Sequence, residues 1–203
     1  MTLTLPEGPF KAYLFDCDGT IVDSMPLHYV AWKKALDEQG CVFPEDMFYA
    51  WGGMPAAEVI ATLSAQQGLA LDVEQVAHRK ELLYYEMLPQ LRAVPEVLEQ
   101  ISRNYALGSE RIPMAVVSGS TRDSVTRSLE ILGILDRFET LVCAGDYAKS
   151  KPDPEPFLIA AERLGVAAKD CLVFEDTEMG IQSATAAGMA SVKILQPWER
   201  AGR

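Results

Sequence analysis

Asp16 and Asp18 are the residues in this 203-residue chain whose spacing first suggests chemistry. In an extended segment, side chains at i and i+2 lie on one side. Two such carboxylates can divide the work of phosphoryl transfer. One attacks phosphorus and becomes an acyl phosphate. The other protonates the departing alcohol and later takes a proton from the hydrolytic water. Gly19 follows, and glycine permits a tight turn and close backbone approach. By itself the run also reads as an ordinary turn with solvated aspartates.

Three further segments bear on that choice. Glu175-Asp176 is a second acidic pair. Two acidic clusters on one rim repel each other unless a cation lies between them, and a few hard oxygen ligands suit Mg²⁺. Asp176 is also placed to cap a helix starting near Glu178. Ser118-Gly119-Ser120 offers hydroxyls and backbone N–H groups to phosphate oxygens. Read alone, the same segment is better explained as a plain cap for a helix from Thr121. Lys151 sits in Lys149-Ser150-Lys151-Pro152-Asp153-Pro154, where prolines fix the backbone and open the next helix. A lysine there is a point charge suited to neutralising nucleophile and phosphate. Lys149 is expected to be a solvated loop residue.

The elements that must position these groups are short. Lys11 to Phe15, Pro113 to Val117, Thr140 to Ala144, Cys171 to Phe174 and Ala190 to Leu195 are apolar runs that predict strands. Amphipathic stretches lie between them, with apolar residues at Val94, Val97, Leu98, Ile101 and at Phe157, Ala160, Ala161, Leu164. Gly133, Gly165 and Gly188 punctuate helix ends. This alternation predicts an α/β fold, a parallel sheet covered on both faces. Ligands of such sheets bind at the carboxyl ends of the strands, and the polar segments above fall there.

Ser24 to Leu91 breaks the alternation. It carries helical stripes (Leu27, Ala31, Ala35; Ala56, Val59, Ile60, Leu63; Val73, Val76, Ala77, Leu83, Tyr84, Met87) and almost no strand signal. The chain is therefore divided into a core, residues 1–23 and 92–203, and an inserted all-helical cap, residues 24–91. Joints are expected near Asp23–Pro26 and Pro89–Pro95.

With these segments in this order, the chain resembles the haloacid dehalogenase-like hydrolases. Phe15-Asp16-Cys17-Asp18-Gly19-Thr20, Val117-Ser118-Gly119-Ser120, Lys151-Pro152 and Glu175-Asp176 are similar to that superfamily's four motifs. Asp23-Ser24, His28 and Ala31-Trp32 resemble the start of the helical cap in the branch that includes sugar phosphatases, phosphoglycolate phosphatase and β-phosphoglucomutase. The resemblance implies a Rossmann-like three-layer core with a five-stranded sheet. It implies Asp16 as nucleophile and Mg²⁺ ligand. Asp18 would be the general acid/base and a ligand through its carbonyl. Ser118 and Lys151, with Gly119 and Ser120 in the same loop, would hold phosphate. Asp176 would bind metal, with Glu175 assisting directly or through water. The superfamily's dehalogenases lack an aspartate where Asp18 stands, which favours phosphoryl transfer.

Substrate choice is expected in the cap. Residues 24–91 hold four Lys or Arg and nine Asp or Glu, a net charge of −5 and a poor receptor for a second phosphate. The mutases of the branch grip their distal phosphate with a cap-loop arginine. The corresponding loop, Trp51-Gly52-Gly53-Met54-Pro55-Ala56, has none, and Ala56 takes that place. A phosphatase of a small phosphorylated metabolite, a sugar phosphate, is the resulting expectation. A β-phosphoglucomutase-type mutase, a phosphonoacetaldehyde hydrolase using a cap lysine (Lys33, Lys34 or Lys80), and a non-catalytic binding protein are the alternatives. Lys80 lies on a buried helix stripe and is expected to meet the polar part of the substrate. His28, near the joint, is expected to touch substrate or the general acid, or else to be structural. Trp32 shares its helix face and reads as core.

Composition sets outer limits. The chain is 49% hydrophobic with a net charge of −11, enough apolar content for a core and an unfavourable charge for nucleic acid or anionic membranes. Cys17, Cys41, Cys143 and Cys171 form no C-x-x-C pair and read as buried thiols of a reducing compartment. No apolar run approaches membrane-spanning length, and the first residues lack the pattern of a signal peptide. A cytoplasmic monomer is the default expectation.

Overall fold

The computed structural model describes residues 3–52 and 54–196. Five strands form one all-parallel sheet: β1 (Ala12–Phe15), β2 (Met114–Val117), β3 (Thr140–Val142), β4 (Cys171–Glu175) and β5 (Ala190–Lys193), in the order β3-β2-β1-β4-β5. The strand order reverses beside β1, so β1 and β4 flank the switch point where α/β sheets bind ligands. In register, Phe15 stands opposite Val116 on one side and Phe174 on the other. The motifs that end β1, β2 and β4 therefore share one rim.

Both sheet faces are covered, as continuous apolar strands require. Ala12 and Leu14 face α7 (Glu155–Leu164) and α8 (Glu178–Ala186), packing with Phe157, Ala160 and Ala184. Tyr13 and Phe15 face the other way, toward Val97 and Ile101 of α5 (Pro95–Tyr105) and Val125 and Leu129 of α6 (Arg122–Ile131). Phe15 stacks on Phe174 with ring centroids 4.3 Å apart. Each fully buried Leu, Ile or Phe contributes roughly 1.5–3 kcal/mol relative to exposure. The third strand stops at Val142, short of the expected Ala144, because Cys143 N–H turns to the Asp146 carboxylate at 2.9 Å. The fifth ends at Lys193, two residues before the expected Leu195.

Between β1 and α5 the chain forms an all-helical cap of four helices: α1 (Met25–Asp37), α2 (Glu45–Ala50), α3 (Ala56–Gln67) and α4 (Val73–Met87). Their inner faces enclose Trp32, Leu36, Phe43, Phe48, Ile60, Leu63 and Val76 in a core of their own. One face of α1 and the last turns of α4, with Leu88 just beyond, belong elsewhere. Ala31, Ala35, Leu83, Tyr84 and Leu88 join the cluster on the sheet. Where the chain enters and leaves the cap, its two crossings are hydrogen-bonded to each other. Asp23 N–H donates to the Arg92 carbonyl at 2.8 Å and Val94 N–H to the Ile21 carbonyl at 2.9 Å. All four cysteines are buried and free. Among the described residues no helix is long and apolar enough to cross a membrane.

Candidate active site

The cap and the carboxyl rim of the sheet enclose a cavity of about 350 Å³. Its floor is made of the strand ends. Asp16 follows β1 directly, and its N–H is held by the Phe174 carbonyl at 2.9 Å. The chain then tightens: Gly19 N–H returns to the Val22 carbonyl at 2.8 Å and Ile21 N–H to the Cys17 carbonyl at 2.9 Å. Gly19 has a φ of +88°, and a Cβ there would come within 2.4 Å of Asp176 Oδ2. Glycine at this position answers both demands.

Lys151 lies at the centre, 6% exposed. Its ammonium donates to Asp16 Oδ1 at 2.7 Å, Glu175 Oε1 at 2.8 Å and the Val117 carbonyl at 3.0 Å. All three of its hydrogens are used. Burial pulls the lysine's pKa down, but the charges of Asp16 and Glu175 outweigh burial and hold it above its ordinary value. The other oxygen of Glu175 accepts from Thr177 N–H at 2.6 Å and Thr177 Oγ1 at 2.9 Å. Both oxygens of Glu175 are thus taken by the protein, and the residue sits as a partner of Lys151.

Asp18, two residues beyond Asp16, has a different set of partners. Its carboxylate accepts from Ser120 Oγ at 2.6 Å and Ser24 Oγ at 2.7 Å, and His28 Nε2 lies 3.0 Å away. A carboxylate only accepts, so His28 donates through Nε2. Burial raises the Asp18 pKa, but His28 and the two hydroxyls more than offset it and hold the carboxyl well below the usual range. Burial and the charge of Lys80 lower the pKa of His28. The ring of His28 stacks on Tyr84 with centroids 3.9 Å apart. Ser118 Oγ accepts the Ser120 N–H at 3.0 Å, which leaves its own hydrogen to donate. Gly119 lines the cavity beside it. Ser120 in this arrangement is bound to Asp18.

Asp176 completes the rim. It accepts from Thr20 Oγ1 at 3.0 Å and from Gln196 Nε2 at 2.9 Å. Burial pushes its pKa well up, with Asp16 and Glu175 adding to the rise. Asp16 is pushed up to about 7 by burial, against the charge of Lys151 and with Glu175 reinforcing. Asp16 is thus only partly compensated by Lys151, and Asp176 is held by a hydroxyl and an amide. The expected cap role of Asp176 is corrected: Thr177 caps α8, its Oγ1 accepting from Gly180 N–H at 3.0 Å. Likewise Thr121 caps α6.

From the cap, Lys80 is buried on α4, as its stripe predicts, and pairs with the adjacent Glu81 at 2.9 Å. Its ammonium lies 5.7 Å from the Trp32 ring and 5.4 Å from that of Tyr84. Lys149 is a loop residue, 74% exposed at its side chain. Gly53 of the cap loop lies outside the described residues. Several contributors were not singled out from sequence: Thr20, Ser24, Thr177, Gln196, Tyr147 and Glu81. Tyr147 donates to the Ser118 carbonyl at 3.1 Å. Their partners lie far away in the chain or beside them in it, and neither spacing carries a signal. Gly180 is the exception. A Cβ there would fall 1.8 Å from Glu175 Oε1, and a glycine in the first turn of a helix is a visible oddity.

A parallel sheet with acidic strand ends, a buried lysine and a helical lid inserted after the first strand defines a class of capped α/β hydrolases. The family model described as haloacid dehalogenase-like hydrolase matches residues 13–194, and the chain belongs to that family. It is 32% identical over 186 residues to the fructose-1-phosphate phosphatase of Escherichia coli, covering 91% of this chain and 96% of that one. It is 33% identical over 193 residues to the β-phosphoglucomutase of Bacillus subtilis, covering 92% and 84%. The fold matches CbbY from Rhodobacter sphaeroides in complex with xylulose-1,5-bisphosphate, with a TM-score of 0.84 and 20% identity over 95% of this chain and 89% of that one.

Proposed function

We propose that the chain is a Mg²⁺-dependent phosphatase that hydrolyses a small phosphorylated metabolite, a sugar phosphate, through an aspartyl-phosphate on Asp16. The observation that carries this reading is the division between the two aspartates. Asp16 is bound to a buried lysine, and Asp18 to hydroxyls and a histidine from both sides of the cavity. Lys151 lies against the nucleophile and offsets part of its burial, while Asp18 is held ionised by its present partners, ready to take a proton as they loosen.

In the first step an Asp16 oxygen attacks phosphorus and the bond to the alcohol oxygen breaks. Asp18, once protonated, gives its proton to that oxygen. In the second step water attacks the same phosphorus, Asp18 takes the water's proton, and the bond between phosphorus and Asp16 breaks. The Ser118 hydroxyl holds a phosphoryl oxygen, and Lys151 holds another by turning one hydrogen from its present acceptors to it. Ser24 and His28 both bind Asp18 Oδ1 and only Ser120 binds Oδ2, so Oδ2 keeps a lone pair for the proton. Ser24 and His28 belong to the cap side, so the cap bears on how readily Asp18 takes that proton.

The donor chemistry of the rim fits Mg²⁺. Asp16 and Asp176 are hard oxygen donors whose mutual repulsion a cation would relieve. Among the described residues no three Asp, Glu, His or Cys side chains form a cage by themselves. Mg²⁺ needs only one or two carboxylates beside waters and a phosphate oxygen. The ion, held by Asp16, Asp176 and the Asp18 carbonyl with Glu175 behind, would offset the negative charge shared by nucleophile and phosphate. The core, residues 1–23 and 92–203, carries the chemistry in this reading, and residues 24–91 the choice of substrate.

The test is phosphate release from a panel of hexose, pentose and hexitol phosphates with Mg²⁺. β-Glucose 1-phosphate with its bisphosphate activator is included to detect mutase turnover. Asp16→Asn should abolish release while circular dichroism stays unchanged. EDTA should remove activity and Mg²⁺ restore it. Full turnover by Asp16→Asn, free of wild-type enzyme, would sink the covalent mechanism.

A further inference from the structure

Trp32, Phe48, Trp51 and Met54 give the cap side of the cavity an apolar wall, suited to the C–H face of a carbon skeleton. The ionised side chains lining that half are Lys80 and Glu81. They neutralise each other through Glu81 Oε1, so the cap offers no net positive charge to a second anionic group. Glu81 Oε2 is different. It is buried and meets no donor among the described residues. A carboxylate oxygen can only accept, and burying one without a donor costs free energy. What satisfies it must bring a hydrogen. A hydroxyl does so; a phosphate adds like charge instead.

We propose that Glu81 is a specificity-determining residue. Its Oε2 accepts a hydrogen bond from a hydroxyl on the leaving alcohol, remote from phosphorus, and selects monophosphates of neutral polyhydroxy alcohols over bisphosphates. The inference rests on the phosphatase reading above and goes beyond it by naming the group that reads the alcohol. His28, whose Nδ1 is likewise buried without a partner among the described residues, is another polar side chain lining the same cavity.

The experiment measures kcat and KM for the best hexose or hexitol monophosphate and for phenyl phosphate, which has no hydroxyl to offer. Wild type, Glu81→Gln and Glu81→Ala are compared, with melting curves to identify folded protein. The ratio of kcat/KM, sugar phosphate over phenyl phosphate, should fall at least tenfold in both variants, mainly through KM. The matching bisphosphate should gain on the monophosphate in Glu81→Gln. Deoxy analogues on wild type give a reading that needs no variant: removal of one hydroxyl should raise KM at least tenfold. An unchanged ratio, an equal loss on both substrates, or indifference to every deoxygenation overturns the proposal. Wild type that cleaves phenyl phosphate but no hydroxylated phosphate overturns it and leaves a phosphatase in place. Wild type that releases phosphate from nothing overturns the phosphatase reading and this inference together.

Discussion

Asp176 and Asp16 are ionisable groups whose native pKa values lie above their unfolded ones, and the sign of the consequence is fixed. Between its ordinary value of 3.8 and about 7, where burial pushes it, Asp16 makes the folded protein bind more protons than the unfolded chain. Metal-free stability therefore loses ground from these groups as pH rises through that window. His28, shifted down from 6.5, pulls the opposite way, so the comparison must be made between variants. Asp176→Asn should gain stability over wild type in EDTA, and the gain should grow from pH 4 to pH 7. Equilibrium urea unfolding reads it; a gain that is flat or shrinks with pH contradicts the assignment. Asp18→Ala tests the other carboxylate. General acid–base catalysis is worth ~10²–10⁴-fold, so single-turnover formation of the aspartyl-phosphate should slow by that order with sugar phosphates. It should slow much less with p-nitrophenyl phosphate, whose leaving group needs little protonation. Equal losses would move the role to another group, His28 first. At this scale the sequence was informative where chemistry is local. Asp16 and Asp18 were legible from spacing, but the ties of Asp18 to Ser120 and of Asp176 to Gln196 span 102 and 20 residues, and only folding reveals them.

α8 shows how an element aims a side chain. Its first turn, capped by Thr177, brings the backbone at Gly180 against the Glu175 carboxylate that holds Lys151. An exposed helical Gly→Ala change normally stabilises by about 1 kcal/mol. Here the sign should reverse. A Cβ 1.8 Å from Glu175 Oε1 must displace that carboxylate, and such overpacking costs about 1–3 kcal/mol. Gly180→Ala should lower the melting temperature and kcat together, because Lys151 moves with Glu175. A neutral or stabilising result would show that the turn relaxes freely. The element reading from sequence was sound wherever apolar period was strong: all five strands appear. It missed where a strand stops, since that depends on a side chain such as Asp146 capturing the next N–H.

Across the whole molecule, a net charge of −11 means that any cation drawn to the rim acts with the protein's own field. Mg²⁺ with a fluoride–metal phosphate mimic should raise the melting temperature. A ligand at one hundred times its Kd stabilises by about 2.7 kcal/mol. Asp176→Asn should erase most of the shift; an equal shift in that variant would place the cation elsewhere. The division into sheet and helical insertion was legible because helix period simply replaces strand period after Asp23. The depth of the connection between them was not, since a buried helix stripe does not say which core it enters.

That depth has a consequence for recombination. Tyr84 and Leu83 of α4 and Ala31 and Ala35 of α1 sit in the sheet's own apolar cluster, and Tyr85 reaches Asp123 of α6 at 2.8 Å. The lid is therefore rooted like a graft, not clipped on like a cassette. Exchanging it with a relative's at the two crossings would swap specificity and also pull apolar plugs out of the catalytic half. A chimera that keeps residues 31, 35, 83 and 84 of this chain should fold where a clean cut at the joints fails. Shuffling of substrate range within such a scaffold is thus easier by changes at cap residues lining the cavity, such as Phe48 and Met54, than by wholesale exchange.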